Sequence, residues 1–533
     1  MKNRPTALLA ALLLVSLACG RGSPPAGTRP PSTQAAPAGS PSPLPSAGPT
    51  APFSPQPYPF EDRNMFFGLT MISTPQDGVV ARELGVSWVS LQPLVVWFAL
   101  ESEPGVRNWA ALDREITFLQ GLGVEPTMAL FLWNLFGEER QELTGILEEQ
   151  ATIDGYNDFA STFQAFMRES PEADSWQIYP HAETLPLWLD FLRAAVERYD
   201  GDGTDDMPGL LYPLRSWHLV EEFPFPGVDD VGDYLQVLIP SYEIIHEENP
   251  AARVILPGLA GNFARIFAFV DGYIQDPDGG IWNGFRYTRQ QLANNPAVRA
   301  QMDAFQRILR EGVGFYDVAD IHLYEETETF LEGKIAWLRH ALEEAGADVP
   351  IWCIEGGGPF KDPPGVESEF GDPYFGEWTA RENAEFVVKL HVLAAASGVE
   401  RYHWALVANP DTAYWSGPWT VMGLMTPDRQ RKPAFYTFQL MMEKLDGFES
   451  VEDLSFPGVR LFRFTVRGQA VHVAWSQDQT PAPYDLSELV GADDLALTTI
   501  VTELAADGSP VGPEARTVSS SQVPLSVTPV FLE

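Results

Sequence analysis

The chain is poor in basic residues, in cysteine and, beyond its N-terminus, in long apolar runs. Lysine and arginine together number 34 against 73 aspartates and glutamates, a net charge of −39. Such a surface repels phosphate backbones and anionic lipid, so no nucleic acid is expected as a partner, while neutral ligands remain open. The only cysteines are Cys19 and Cys353, which excludes a disulfide framework. Cys353 lies inside the apolar stretch VPIWCIE and reads as a buried structural thiol rather than a nucleophile. No segment after the N-terminus is long and apolar enough to be a membrane span.

What is present at the start is MKNRPTALLAALLLVSLACG, with basic Lys2 and Arg4 followed by an apolar run from Ala7 to Ala18. That run is too short to cross a bilayer, so residues 1–19 read as an export signal. Leu17 to Gly20 resembles the bacterial lipobox, whose cysteine carries the lipid. Cys19 is therefore the expected anchor, and the rest of the chain is expected outside the cytoplasm, touching the cell-envelope membrane only through that lipid. Residues 20–59 are dominated by Pro, Ala, Ser, Gly and Thr and read as a disordered stalk.

The whole chain is 45% hydrophobic, enough to bury a large core in the remainder. Short apolar runs at 66–70, 86–92, 124–132, 213–220, 253–259, 316–324, 349–355 and 399–406 alternate with stretches of helical spacing. The clearest of these are 185–199, 234–248, 330–346 and 383–398, with a last helix at 434–447. Strand then helix, repeated eight times, with strands apolar on both faces, predicts an α/β fold. The form expected is a (β/α)8 TIM barrel over 60–447, with a doubly wound open sheet as the weaker option. Glycines before strands, at Gly123, Gly346 and Gly398, suit left-handed helix caps. From 448 to 533 the pattern becomes one of short alternating strands, predicting a small antiparallel β-sandwich-like domain with a hairpin at Arg467-Gly468-Gln469.

Long segments that read as irregular follow strands three (133–184), five (260–300), seven (356–379) and eight (407–427), the end where barrel enzymes build their sites. They carry Trp133, Phe136, Trp282, Trp378, Trp415 and Trp419, whose rings could stack on sugars. Strand four ends in Glu221-Glu222, and period-two alternation puts Trp217, Leu219 and Glu221 on one face and His218, Val220 and Glu222 on the other. Strand six ends in His322-Leu-Tyr324-Glu325-Glu326, where the paired glutamates could supply a carboxylate but read rather as a solvated loop. Strand seven ends in Glu355 followed by Gly356-Gly357-Gly358, glycines that leave backbone room for a ligand. Two glutamates facing one pocket can cleave a glycosidic bond, one protonating the leaving oxygen and the other attacking the anomeric carbon. The acidic run DGDGTDD offers oxygen ligands at Asp200, Asp202 and Asp206, a candidate structural calcium loop without the full EF-hand pattern. No other cofactor is required by this chemistry.

Glu222 on strand four, IHLY on strand six, PIWCIEGG on strand seven, Trp404 on strand eight and the run YDGDGTDDMPGLLYPLRSW together resemble clan A glycoside hydrolases, of family 39-like or family 5-like type. The resemblance covers about residues 60 to 450. It implies that Glu222 is the acid/base, Glu355 the nucleophile and Tyr324 the donor to the nucleophile. It also implies that His322 lines the same wall and that Trp404 is a platform under the sugar; a core-satisfied imidazole is the other reading of His322. Two positions depart from that pattern: Glu221 stands where relatives keep a sugar-binding asparagine, and Ser90 where they keep an arginine beside the nucleophile. Losing that cation should raise the pKa of Glu355, and an anion at Glu221 should raise that of Glu222.

The expected function is thus a retaining glycoside hydrolase acting on an oligo- or polysaccharide, with Glu221, Trp133, Trp378 and Trp415 as further substrate contacts. The rival readings are a catalytically silent carbohydrate-binding lipoprotein on the same barrel, and a two-lobed solute-binding lipoprotein.

Overall fold

The computed structural model describes residues 58–533 apart from 62, 71–74, 133, 135, 137–140, 142–179, 181, 220–221, 224–230, 277–278, 283–284, 326, 360–378 and 410–418. The signal segment, Cys19 and nearly all of the stalk lie outside the described residues, as do Trp133, Glu221, Glu326, Trp378 and Trp415.

Eight parallel strands form the barrel: Phe67–Thr70, Trp88–Val96, Glu125–Phe131, Ser216–Leu219, Arg253–Ile255, Ala319–Asp320, Ile351–Gly357 and Val399–Ala405. Each pairs with its neighbour in sequence, and the eighth pairs with the first. Parallel bridges Ile255 to Val318 and Leu259 to Ile321 join strand five to strand six and close the ring. The eightfold reading of the sequence therefore holds, and neither a doubly wound open sheet nor a two-lobed binding protein fits a ring of this kind. The fifth strand is interrupted before Gly258–Leu259 by Pro257, which has no N–H to give to a ladder.

Both faces of these strands are buried, as their composition requires. Trp88, Ile255, Val318, Trp352 and Ile354 fill the interior with Phe60, Met65 and Tyr212. Val89, Met128, Trp217, Val254, Cys353 and Tyr402 belong instead to the core shared with the surrounding helices. At the N-terminal end the Arg401 guanidinium lies 4.9 Å from the Trp88 ring and 4.2 Å from that of Trp352, while Tyr58 donates to the buried Glu125. These groups fill the floor of the barrel.

The helices fall close to their expected places, including Leu185–Tyr199, Val231–Glu248, Glu328–Ala345, Ala380–Ala396 and Pro433–Leu445. One expectation is overturned: the segment after strand five is ordered, with a helix Gly261–Val270, a two-stranded ribbon Gly280–Trp282 with Phe285–Tyr287, and a helix Arg289–Ala293 capped by Thr288. The helix GNFARIFAFV is buried almost all round, from Ala264 through Val270, so its near-uniform apolar run shows no helical period to read.

Gly346 ends its helix at φ 76° with open space around the position a Cβ would take. Gly346→Ala should therefore cost only the left-handed backbone penalty, about 1 kcal/mol, read from the denaturant midpoint. Gly68→Ala should cost several times as much, because its Cβ would sit 1.7 Å from His403 Cδ2 inside the barrel. Equal effects in the two variants would contradict this packing.

Residues 448–533 form a six-stranded antiparallel sheet whose hairpin turns at Arg467 and Gly468, both at positive φ, as its two-residue loop demands. Phe448, Phe462, Phe464, Val473 and Trp475 face the barrel helices. Leu461, Ala474, Leu495 and Leu497 form a second core with Leu486 and with Val523 and Leu525, the latter two from a two-stranded ribbon.

Candidate functional site

At the C-terminal end of strand four, a short strand Glu222–Phe223 pairs in parallel with Gly258–Leu259. Trp217, Leu219 and Phe223 belong to the core behind the barrel wall. Period-two alternation then turns His218 and Glu222 inward. That is the placement the sequence indicates for both residues; Glu221 lies outside the described residues.

Strand seven places its glutamate by a different device. Cys353 and Gly356 pair with Tyr402 and Trp404, so three steps along one strand match two along its neighbour. A bulge of this kind shifts the phase of the side chains beyond it. Cys353 faces the helices, and without the bulge Glu355 would face them too. Instead its carboxylate is fully buried against the inward residues of strand six: the Tyr324 hydroxyl donates to Glu355 Oε2 at 2.8 Å.

His322 joins the two carboxylates. Its Nδ1 lies 2.7 Å from Glu222 Oε1 and 3.4 Å from Glu355 Oε2. Two oxygens at these distances from one nitrogen are separated by at most about 6 Å, shorter than the roughly 6.5–9.5 Å that leaves room for a water between carboxyls. The other ring nitrogen faces Asp320 Oδ2 at 3.4 Å. Burial opposes a charge on this imidazole, but Glu355, Glu222 and Asp320 outweigh it and hold His322 well above the ordinary histidine range. His322 is therefore a buried cation between two carboxylates. Burial together with the adjacent Glu355 keeps Tyr324 a neutral phenol, able to donate. The Glu222 side chain is 12% exposed and Glu355 is closed to solvent, so only Glu222 can exchange a proton directly with water.

Asp320 was not singled out from the sequence, although YDVADIHLY carries the signal: Asp320, His322 and Tyr324 are two apart and share a face. Its Oδ1 accepts from the Ile354 N–H at 2.9 Å, and its Oδ2 also faces His218 Nε2 at 3.7 Å. Burial pushes His218 down to about 4, so it stays neutral, accepting no share of the charge. Gly258 was missed as well. A Cβ there would lie 2.1 Å from His322 Nε2 and 2.6 Å from Asp320 Oδ2. Gly258→Ala should displace the imidazole and lower kcat/KM on any substrate the wild type cleaves by at least about 10²-fold, the loss typical of misplacing a catalytic group by an ångström. Wild-type turnover in that variant would show that His322 need not sit there.

Several expectations need correction. Gly356, Gly357 and Gly358 make room for the protein itself, since added Cβ atoms would meet Tyr402 Oη at 2.4 Å, Ala405 O at 3.2 Å and Phe386 Cδ1 at 2.7 Å. Trp404 is fully buried on the helix side, stacked at 19° on His391, with its indole N–H donating to Met422 O at 3.3 Å. It packs the wall and offers no platform to a ligand, because strand eight turns His403 inward in its stead. Glu325 is buried and ion-paired to Lys334 at 2.8 Å, so only its neighbour Glu326, outside the described residues, is left of the supposed solvated pair. Phe136 and Trp282 pack edge-on against Trp97 and Phe263, at centroid distances of 5.7 and 5.4 Å. Cys353 is free and buried, its thiol held well up by burial, in keeping with an inert structural role. Ser90 is buried on strand two beside Thr127, so no guanidinium comes from that position.

The three acidic side chains of the 200–206 loop also come together, at the opposite end of strand four. They are 10 or more residues before Ser216 in sequence and take no part in the cluster around His322.

With this geometry in view, comparison with solved structures gives two informative matches. A family 39 glycoside hydrolase from Bacteroides cellulosilyticus WH2 aligns with a TM-score of 0.53 at 14% identity, over 88% of this chain and 81% of its own. A glucosidase from Croceicoccus marinus aligns with a TM-score of 0.51 at 11% identity, over 88% of this chain and 95% of its own. This chain shares their fold. No family model and no curated protein matches the sequence. At such identities the likeness concerns the (β/α)8 barrel, and the chemistry rests on the residues above.

Proposed function

We propose that the protein is a retaining glycoside hydrolase in which Glu355 attacks the anomeric carbon and Glu222 serves as acid and then base. The observation that carries this reading is the separation of the two carboxylates, at most about 6 Å through His322 Nδ1, which suits direct attack better than activation of an intervening water. In the first step Glu222 gives its proton to the departing oxygen while a Glu355 oxygen bonds to the sugar. In the second step Glu222 removes a proton from water, which displaces Glu355. Tyr324 holds the attacking carboxylate in place by its 2.8 Å hydrogen bond. The His322 cation supplies positive charge beside Glu355 where Ser90 supplies none. Both neighbours of known structure are named for cleaving glycosidic bonds, and their shared fold is consistent with the proposal.

The test is a panel of aryl glycosides and oligosaccharides offered to the wild-type chain and to Glu355→Gln. Turnover of at least one substrate by wild type and loss of it in the variant is expected. Two inert proteins that both retain sugar binding would favour the catalytically silent carbohydrate-binding reading, which the glutamate at position 221 keeps in play. We further propose, from the sequence of residues 1–20, export and lipid attachment at Cys19; Cys19→Ala should release the protein from membranes, and continued membrane retention would refute it.

A further inference from the structure

The loop 200–206 leaves helix Leu185–Tyr199 on the floor side of the barrel, far along the strand from Glu222. Asp200, Asp202 and Asp206 each bring a carboxylate oxygen within 4.8 Å of the others. Acidic groups cluster on many surfaces, but here one of them is not on the surface. Asp200 is 8% exposed, and its Oδ2 is buried with no hydrogen-bond partner. Leaving a carboxylate oxygen in that condition is costly unless a cation meets it.

The surroundings increase the cost. Asp200 caps the C-terminus of a fifteen-residue helix, where the aligned peptide dipoles present negative charge. The basic residues of that helix are engaged elsewhere: Arg198 forms a two-pronged pair with Asp113 at 2.9 and 2.6 Å, and Arg193 pairs with Glu247 and Glu248. Among the described residues no lysine or arginine is ion-paired to Asp200, Asp202 or Asp206.

The loop's own N–H groups orient these carboxylates. Asp206 accepts from Gly201 at 2.9 Å and Gly203 at 2.7 Å, Asp202 from Thr204 at 2.7 Å, and Asp200 through Oδ1 from Asp202 at 3.1 Å. These bonds use Asp200 Oδ1 and leave its buried Oδ2 without a donor. The donor set is all oxygen, with no histidine or thiol. That set suits a hard divalent cation, and its closeness and charge suit calcium better than magnesium, which keeps most of its own water.

We propose that Asp200, Asp202 and Asp206 bind one calcium ion that fixes the connection between this helix and strand four. The site is structural, because the floor of such a barrel governs stability rather than chemistry.

The test uses the full mature chain, stripped with a chelator and dialysed. Calcium chloride alone should bind with a stoichiometry of one by titration calorimetry. At about a hundred times its dissociation constant it should raise Tm by on the order of 2–3 °C, with magnesium chloride giving less. Asp200→Asn preserves the shape of the buried residue, and Asp202→Asn alters an exposed one, so both should fold. Both should lose the calcium heat and the calcium-dependent Tm shift. Wild-type chain that shows neither binding nor a Tm change, or variants that bind calcium as the wild type does, would overturn the proposal.

Discussion

Glu355→Gln should lower kcat/KM on aryl glycosides by about 10⁴-fold or more, with little change in Tm. The amide has the shape of the carboxylate and its oxygen can still accept the Tyr324 hydrogen bond now made at 2.8 Å, so the site stays assembled. What it loses is the ability to form a bond to the anomeric carbon, and among the described residues no other buried carboxylate stands in the same place: Asp320 is on the far side of His322, and Glu325 is tied to Lys334. Glu222→Gln should behave differently. Removing a general acid typically costs about 10² to 10⁴-fold, and much less when the leaving group needs no proton. The loss should therefore be small with a dinitrophenyl glycoside and large with a disaccharide, and azide should accelerate turnover of Glu222→Ala by replacing water in the second step. Equal losses on both leaving groups would remove Glu222 from the role of acid.

The second large effect is expected at His322. His322→Gln keeps a donor toward Glu222 but removes the charge that lies 2.7 Å from one carboxylate and 3.4 Å from the other. Two carboxylates within about 6 Å of each other, without an intervening cation, resist ionising together. The acidic limb of the kcat/KM profile should therefore move to higher pH, and the rate near pH 6 should fall by on the order of 10²-fold. A drop in rate with an unmoved profile would mean that the imidazole only packs.

Stability should change in the opposite sense at high pH. Because the folded protein holds His322 above its ordinary value of 6.5, the charged ring contributes its full stabilisation below that pH, and the contribution disappears as pH climbs through the raised value. Wild type should thus lose its advantage over His322→Gln as the solution becomes alkaline. Asp320→Asn should lower the raised value of His322, because it takes one of three anions away from the ring, and so bring that loss of stability to lower pH.

Much of this architecture could be read directly from the chain. Eight apolar runs with intervening helical spacing specify a closed parallel barrel, because strands that bury both faces need helices all around them. Alternation along SWHL, continued to Glu222, gives the inward direction of Glu222. The same rule fails at Glu355: counted from Cys353 it points to the helices, and only the extra residue opposite Tyr402 and Trp404 corrects it. A bulge depends on the neighbouring strand's register, which no local pattern encodes. Trp404 was misplaced for a related reason, since which face of strand eight looks inward is set by pairing with Phe67–Thr70. The glycines after Glu355 invite a ligand when read alone and prove to accommodate Tyr402 and Phe386, side chains far away in sequence. Asp320 could have been found by extending the alternation of His322 and Tyr324 two residues back.

The most direct test of the account is the configuration of the first product. Any β-glycoside that the protein cleaves should be followed by proton NMR from the first minutes, before the anomers interconvert. Attack by Glu355 and then by water predicts that the β-anomer appears first and the α-anomer only with mutarotation. The α-anomer appearing first would mean a single displacement by water, and would contradict the assignment of Glu355 as the nucleophile.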